Sequence, residues 1–116
     1  MSNLTVYQKP TCTTCRQTVQ ILKEEGEDFT AINYYEIPFT VAQLKELLRS
    51  AGLAPRDVLR TKEGIYKTLK LGEKTLPDDE LFTLMVKYPD LIQRPIVQKG
   101  DHVVLARPAE RVKELL

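Results

Sequence analysis

The first third of the chain changes from one hydrophobic pattern to another and back again. Residues 4–7 and residues 29–34 are short runs rich in β-branched and aromatic side chains, which predict two strands. Between them Cys15, Val19 and Leu22 recur with the spacing of one helix face. A strand, a helix and a second strand in this order predict a βαβ unit with parallel strands and a right-handed crossover.

Helical patterns fill the middle of the chain. Thr40 precedes a run of leucines at helical spacing and Gly52 follows it, so we expect a helix between them. Asp78 is expected to cap a later helix that ends before Pro89. Two shorter helical patterns cover residues 56–59 and 66–69.

The last third of the chain predicts a hairpin and a closing helix. The apolar runs 96–97 and 103–105 flank the turn dipeptide Gly100-Asp101, as expected for two antiparallel strands. Pro108 then suits the first turn of a last helix, because the N–H that proline lacks has no helical partner there.

This order of elements indicates the fold class. A βαβ unit, a helical stretch and a ββα unit together match the thioredoxin arrangement with an insertion. We therefore expect an α/β, thioredoxin-like fold with a mixed four-stranded sheet. One domain is expected over residues 1–116, with the helical insertion at approximately 40–90 between the βαβ and ββα halves.

Composition and charge exclude several classes of function. The 116 residues carry 17 Lys and Arg against 16 Asp and Glu, a balance that gives no reason to expect binding to nucleic acid or membranes through charge. No apolar run approaches the ~20 residues that span a bilayer, and the first residues lack the pattern of a signal peptide. We expect a cytoplasmic monomer with no nucleic-acid or membrane partner.

The two cysteines narrow the chemistry further. Cys12 and Cys15 are so close in sequence that a bond between them closes almost no loop, unlike the disulfides of secreted frameworks. A structural zinc site needs four Cys or His ligands, and His102 is the one histidine of the chain, so no metal site is expected. A redox pair or a reactive thiol with a neighbour is left, against the alternative of two inert cysteines.

The position of Cys12 favours a reactive thiol. It follows a proline-containing turn after the first predicted strand, at the start of the first predicted helix, where backbone N–H groups and the helix dipole stabilise a thiolate. Cys15 lies one helical turn further on, within reach of a disulfide. It is either a resolving thiol that attacks a mixed disulfide at Cys12 or a small apolar residue that packs the helix on the sheet.

Three arginines are candidates for binding an anion. Arg60, Arg94 and Arg107 each carry the planar, multi-donor guanidinium that recognises oxyanions, although each of them, taken singly, better fits a solvated surface residue. Arg94 precedes Pro95, which lies just before the third predicted strand. A proline at that point of this fold faces the active thiol, and the peptide bond before it is a candidate for the cis form. The sequence pattern does not by itself bring the three arginines together.

Nearly the whole chain resembles the arsenate reductase family that uses glutathione and glutaredoxin. The matching pieces are Tyr7, Pro10-Thr11-Cys12, Thr14, Arg16, Leu59-Arg60, Arg94-Pro95-Ile96-Val97, and Arg107-Pro108 with Glu110. The resemblance implies that Cys12 attacks the arsenic of arsenate, while Arg60, Arg94 and Arg107 hold the oxyanion and the covalent intermediate. It also implies reduction of arsenate to arsenite, with glutathione and glutaredoxin as co-substrates and no bound cofactor.

Two positions depart from the pattern of that family. Gln8 stands where many members have a histidine, and Cys15 stands where one-thiol members often have a serine. Cys15 makes the chain similar to Spx, a redox-sensing regulator of RNA polymerase with the same fold. We therefore keep two alternatives to a reductase: a redox switch that binds a transcription partner, and a general thiol–disulfide oxidoreductase.

Overall fold

A mixed four-stranded sheet forms the centre of the first of two units in the computed structural model. The structure describes residues 4–116, of which this unit holds residues 4–37 and Arg94–Leu116. Its strands are β1 (Leu4–Gln8), β2 (Phe29–Asn33), β3 (Ile96–Lys99) and β4 (His102–Leu105), in the spatial order β2-β1-β3-β4. β1 pairs in parallel with β2, and β3 pairs antiparallel with both β1 and β4. The expected α/β, thioredoxin-like fold with a mixed sheet is confirmed.

The first helix, α1 (Thr13–Glu24), provides the crossover that makes β1 and β2 parallel. Gly26 follows this helix with a φ of +70°, a left-handed conformation that glycine adopts without steric cost. Cys15, Thr18 and Leu22 are the buried residues of α1. The predicted helix face is therefore correct at two of its three positions, and Val19 is only half-buried.

The hydrophobic core of this unit joins the sheet to the helices. Its buried members come from β1, α1, β3, β4 and the segment that follows β4: Leu4, Val6, Leu22, Val97, Val104, Ala106 and Val112. Full burial of a side chain of this size contributes about 1.5–3 kcal/mol relative to exposure. The core therefore holds α1 against the sheet through the carboxyl half of the helix.

The closing helix differs from the predicted α-helix. Ala109–Leu115 forms a 3-10 helix, in which the Arg111 N–H donates to the Pro108 carbonyl at 3.0 Å. Residues three apart eclipse each other in a 3-10 helix. Ala109 and Val112 have that spacing and are both buried, so the tighter helix turns both of them toward the core.

The second unit, Pro38–Gln93, is helical. Its α-helices are α2 (Val41–Ala51), α3 (Gly64–Thr68) and α4 (Asp78–Lys87), and its 3-10 helices are Pro55–Val58, Leu71–Glu73 and Pro89–Leu91. The predicted limits of α2 are confirmed: the Thr40 hydroxyl accepts the Gln43 N–H at 3.0 Å, and Gly52 ends the helix with a φ of +71°.

The predicted cap of α4 is wrong by one residue. Pro77 occupies the cap position with an extended backbone, and Asp78 is the first helical residue. Asp78, Asp79 and Glu80 thus fill the first turn, where their negative charges face the positive end of the helix dipole. Asp78 stabilises the start of α4 by its charge and makes no side-chain cap.

The organisation of residues 1–116 as one domain, with an insertion at approximately 40–90, stays a prediction. None of the helices within residues 4–116 has the length and apolar character of a membrane span.

Candidate active site

Cys12 caps the amino end of α1, as predicted. Its Sγ accepts the backbone N–H of Cys15 at 3.4 Å, and its own N–H donates to the Lys9 carbonyl at 2.9 Å. The turn between β1 and α1 is therefore closed by a hydrogen bond from Cys12 itself. The sulfur lies where unpaired helix N–H groups and the positive end of the dipole favour an anion. Cys12 is half-buried.

Arg94 brings a buried positive charge to this sulfur. The residue is 5% exposed, and the hydrogen bond and charge of its guanidinium lower the pKa of the Cys12 thiol. Its Nη1 also donates to the Tyr35 hydroxyl at 3.1 Å and to the Tyr34 hydroxyl at 3.4 Å. A buried charge is costly unless it is hydrogen-bonded. Here the two phenols and the sulfur supply partners and orient the guanidinium. The peptide bond between Arg94 and Pro95 is cis.

The surroundings of Cys12 lower the pKa of its thiol. Burial raises the pKa, but hydrogen bonds from the Cys15 N–H and thiol, together with the hydrogen bond and charge of Arg94, outweigh burial. For Arg94, burial favours the neutral form, but Tyr34, Tyr35 and Cys12 raise its pKa, so it stays cationic. The site therefore places a thiol of lowered pKa beside a permanent guanidinium.

Cys15 has the opposite character. Its side chain is fully buried, and burial raises the pKa of its thiol to about 12, with the neighbouring Cys12 sulfur adding to the rise. Cys15 is therefore protonated, and its thiol stabilises the Cys12 thiolate. Both cysteines are free thiols. In this reduced state Cys15 is a buried residue of α1, as its packing role predicts. Its role as a resolving thiol stays a prediction.

The other two predicted arginines have different surroundings. Arg107 is exposed, and its Nη1 donates to the Arg94 carbonyl at 2.9 Å, which places it beside the backbone of Arg94. Arg60 belongs to the second unit, where its guanidinium forms a salt bridge with the Glu63 carboxylate at 2.9 Å. The presence of Arg60 in the site stays a prediction from the resemblance.

The sequence interpretation missed two residues of the site, Tyr34 and Tyr35. Both tyrosine hydroxyls accept hydrogen bonds from the Arg94 guanidinium. The Lys9 Nζ lies 4.7 Å from the centre of the Tyr35 ring. A signal was available, since the parallel strands β1 and β2 end at the same sheet edge and the residues after β2 therefore lie beside the Cys12 turn.

The arrangement suits attack by a thiolate on an electrophile that carries negative oxygens. Positive charge beside the sulfur offsets the repulsion between two anions and stabilises charge in the transition state. Among residues 4–116, no group of three or more His, Cys, Asp and Glu side chains is arranged to hold a metal ion.

Comparisons with known proteins agree on one family. The sequence profile of the ArsC family matches residues 7–115. The arsenate reductase of Yersinia enterocolitica is 39% identical over 116 residues, which cover 100% of this chain and 82% of that relative. The uncharacterized protein YfgD of Escherichia coli K12 is 36% identical over 112 residues, or 96% of this chain and 94% of its own. The solved arsenate reductase from Vibrio cholerae has a TM-score of 0.94 and 38% identity, covering 99% of this chain and 98% of that one.

Proposed function

The chain belongs to the ArsC family, and from this premise we propose that it reduces arsenate to arsenite with Cys12 as its nucleophile. The observation that carries the proposal is the contact between the Cys12 sulfur, at the start of α1, and the buried guanidinium of Arg94. Relatives named arsenate reductase support the choice of arsenate as the oxyanion.

The first step forms a bond between sulfur and arsenic. The Cys12 thiolate attacks As(V), an As–O bond breaks, and the oxygen leaves as water after taking protons from solvent. Arg94 stabilises the negative charge that accumulates on the arsenate oxygens. Arg107, which is hydrogen-bonded to the backbone of Arg94, adds a second positive charge, and the resemblance assigns the same role to Arg60.

The second step transfers two electrons. The sulfur of glutathione forms a disulfide with the Cys12 sulfur, the S–As bond breaks, and its electron pair stays on arsenic, which leaves as arsenite. Two thiols are oxidised to one disulfide while As(V) becomes As(III), so the electrons balance. Glutaredoxin then reduces the mixed disulfide and regenerates Cys12.

We also propose the setting of this reaction. A cytoplasmic location suits the proposed chemistry, because glutathione keeps thiols reduced there. Glutathione and glutaredoxin act as co-substrates, and the protein works as a monomer without a bound cofactor, nucleic acid or membrane.

The test is arsenate-dependent oxidation of NADPH in the presence of glutathione, glutaredoxin and glutathione reductase. We expect turnover by the intact protein and none by Cys12→Ser, because a hydroxyl is not ionised at neutral pH. Arg94→Lys should lower kcat/KM by about 10- to 150-fold, the equivalent of one charge-assisted hydrogen bond of about 1.5–3 kcal/mol.

Arg111→Lys is the matched control for the arginine variant. Arg111 is exposed and pairs with Glu114, so its conservative replacement should leave turnover unchanged. Absence of arsenate-dependent NADPH oxidation by the intact protein would refute the proposed function. Equal losses in the Arg94 and Arg111 variants would refute the role of Arg94.

A second candidate function rests on the contact between the two cysteines. The Cys15 N–H and thiol both reach the Cys12 sulfur, an arrangement that suits a redox switch or a general thiol–disulfide oxidoreductase. A redox switch predicts a transcription partner whose recovery in pull-downs changes with dithiothreitol. A general oxidoreductase predicts reduction of insulin disulfides without any oxyanion.

A further inference from the structure

Tyr35 contacts two positive charges beside the Cys12 turn. Its hydroxyl accepts the Arg94 Nη1 hydrogen bond at 3.1 Å, and the Arg94 guanidinium carbon lies 5.7 Å from the centre of its ring. The Lys9 Nζ lies 4.7 Å from the same ring centre. A cation within about 6 Å of an aromatic ring is attracted by the ring's negative face. One side chain thus interacts with both cations.

The turn after β2 fixes the position of Tyr35. The Asn33 side-chain oxygen accepts the Tyr35 N–H at 3.0 Å, and the Asn33 carbonyl accepts the N–H groups of Glu36 and Ile37 at 3.0 and 2.9 Å. An asparagine that binds the backbone two residues on is a recurrent way of making a tight turn. The Tyr35 ring also packs at 5.1 Å from the Tyr34 ring, measured between centres.

Tyr35 connects these cations to the nucleophile. Arg94 is hydrogen-bonded to the Cys12 sulfur, and the Lys9 carbonyl accepts the Cys12 N–H. Movement of Arg94 away from the sulfur would remove both a hydrogen bond and a positive charge from the thiolate. The hydroxyl and ring of Tyr35 oppose that movement.

We propose that Tyr35 is a positioning residue, which holds the Arg94 guanidinium against the Cys12 sulfur and keeps the Lys9 ammonium beside the same turn. Its effect on arsenate reduction rests on the function proposed above, whereas its effect on the reactivity of Cys12 does not. Tyr34 also binds Arg94, but it is 1% exposed, so its replacement would disturb packing as well. Tyr35 is half-buried, so its replacement tests the positioning role with less disturbance of packing.

Charged and titratable groups from several elements surround the nucleophile. Arg94 and Cys15 act on Cys12, while Tyr34, Tyr35 and Cys12 act on Arg94. Lys9 joins this set through the ring of Tyr35.

The first experiment measures the rate at which iodoacetamide alkylates Cys12 as a function of pH, with the modified residue identified by mass spectrometry. In Tyr35→Leu, which removes ring and hydroxyl, the inflection should move to higher pH. A rise of one unit in the Cys12 pKa lowers the fraction of thiolate about tenfold at pH values below the inflection. Because a more basic thiolate is about threefold more nucleophilic, the alkylation rate at those pH values should fall about threefold. Tyr35→Phe keeps the ring and should give a smaller shift in the same direction.

Tyr88 provides a matched control. It is a half-buried tyrosine of the second unit with the Lys87 Nζ at 5.4 Å from its ring centre. Tyr88→Phe and Tyr88→Leu remove the same groups and should leave the Cys12 inflection unchanged. A shift of equal size in these variants would overturn the proposal, because the effect would then not depend on Arg94.

A double-mutant cycle tests whether Tyr35 acts through Arg94. In an Arg94→Lys background, Tyr35→Phe should shift the Cys12 inflection by much less than in the wild type, because the guanidinium that it positions is gone. A merely structural role predicts equal shifts in both backgrounds, and that result would overturn the proposal.

The remaining outcomes separate the two proposals. Unchanged Cys12 inflections in Tyr35→Phe and in folded Tyr35→Leu would overturn the positioning role, and if the leucine variant does not fold, the phenylalanine variant decides alone. A shifted inflection in a protein that does not reduce arsenate would refute the proposed substrate and uphold the role of Tyr35.

Discussion

Two sulfur atoms on the same helical turn have opposite protonation behaviour. Cys12 is half-buried at the helix end and receives hydrogen bonds from Arg94 and from Cys15, which lower its pKa despite burial. Cys15 is fully buried beside a negative sulfur, and its pKa rises to about 12. The thiolate is the nucleophilic form of cysteine, so the structure favours reaction at Cys12.

At this scale we predict selective alkylation. Iodoacetamide should modify Cys12 at pH 7, with an inflection below that of an ordinary thiol, and should leave Cys15 unmodified until the protein is unfolded in urea. Peptide mass spectrometry after timed labelling measures both rates. Equal labelling of the two cysteines in the folded protein would contradict the assigned environments.

At the scale of elements, α1 and α2, the two longest α-helices of the described residues, begin with different capping atoms. α1 begins with a sulfur that accepts the Cys15 N–H at 3.4 Å, and α2 begins with the hydroxyl of Thr40, which accepts the Gln43 N–H at 3.0 Å. Cysteine is a weaker acceptor than serine or threonine, which are preferred at this position. The Cys12 cap is therefore expected to stabilise the start of α1 less than a serine or threonine would, while it places a thiol at the helix end.

The capping roles predict a separation of activity from stability. Cys12→Ser should abolish turnover. It should nevertheless be more stable than Cys12→Ala, with a free energy of unfolding in urea that is higher by about 0.5–2 kcal/mol. The same comparison of Thr40→Ser with Thr40→Ala in α2 serves as control and should give a difference of similar size. An alanine variant as stable as the serine variant at position 12 would show that this side chain does not cap α1.

At the scale of the whole molecule, the two cysteines change stability with pH in opposite directions. The lowered pKa of Cys12 contributes stability above its unfolded pKa, about 8.5, and this contribution is lost as pH falls through its folded pKa. The raised pKa of Cys15 contributes stability that is complete below about 8.5 and is lost as pH rises toward about 12.

We therefore predict that Cys15→Ala flattens the alkaline side of the stability profile. The free energy of unfolding in urea, measured between pH 8 and pH 10, should fall less steeply in this variant than in the wild type, whatever the offset between them. Comparing the slopes of the two proteins cancels the titration of lysines and tyrosines, which both proteins share. Parallel profiles would contradict a raised pKa for Cys15.

The sequence by itself determined the features that depend on neighbours along the chain. The βαβ order, the hairpin at Gly100-Asp101, the limits of α2 and the position of Cys12 at a helix start were all predicted correctly. Each depends on turn chemistry, helix capping or hydrophobic period within a few residues. Where two local solutions compete, prediction fails: Asp78 begins α4 without capping it, and the closing helix is 3-10.

Only the tertiary structure decided what lowers the pKa of the Cys12 thiol. Arg94 meets Tyr34 and Tyr35 across 60 and 59 residues of chain, because β3 lies beside β1, and β1 ends at the same sheet edge as β2. The burial of Cys15 likewise depends on what packs around it. Hydrogen bonds and desolvation act through space, so the pKa of a thiol follows from the folded arrangement of groups that are distant in sequence.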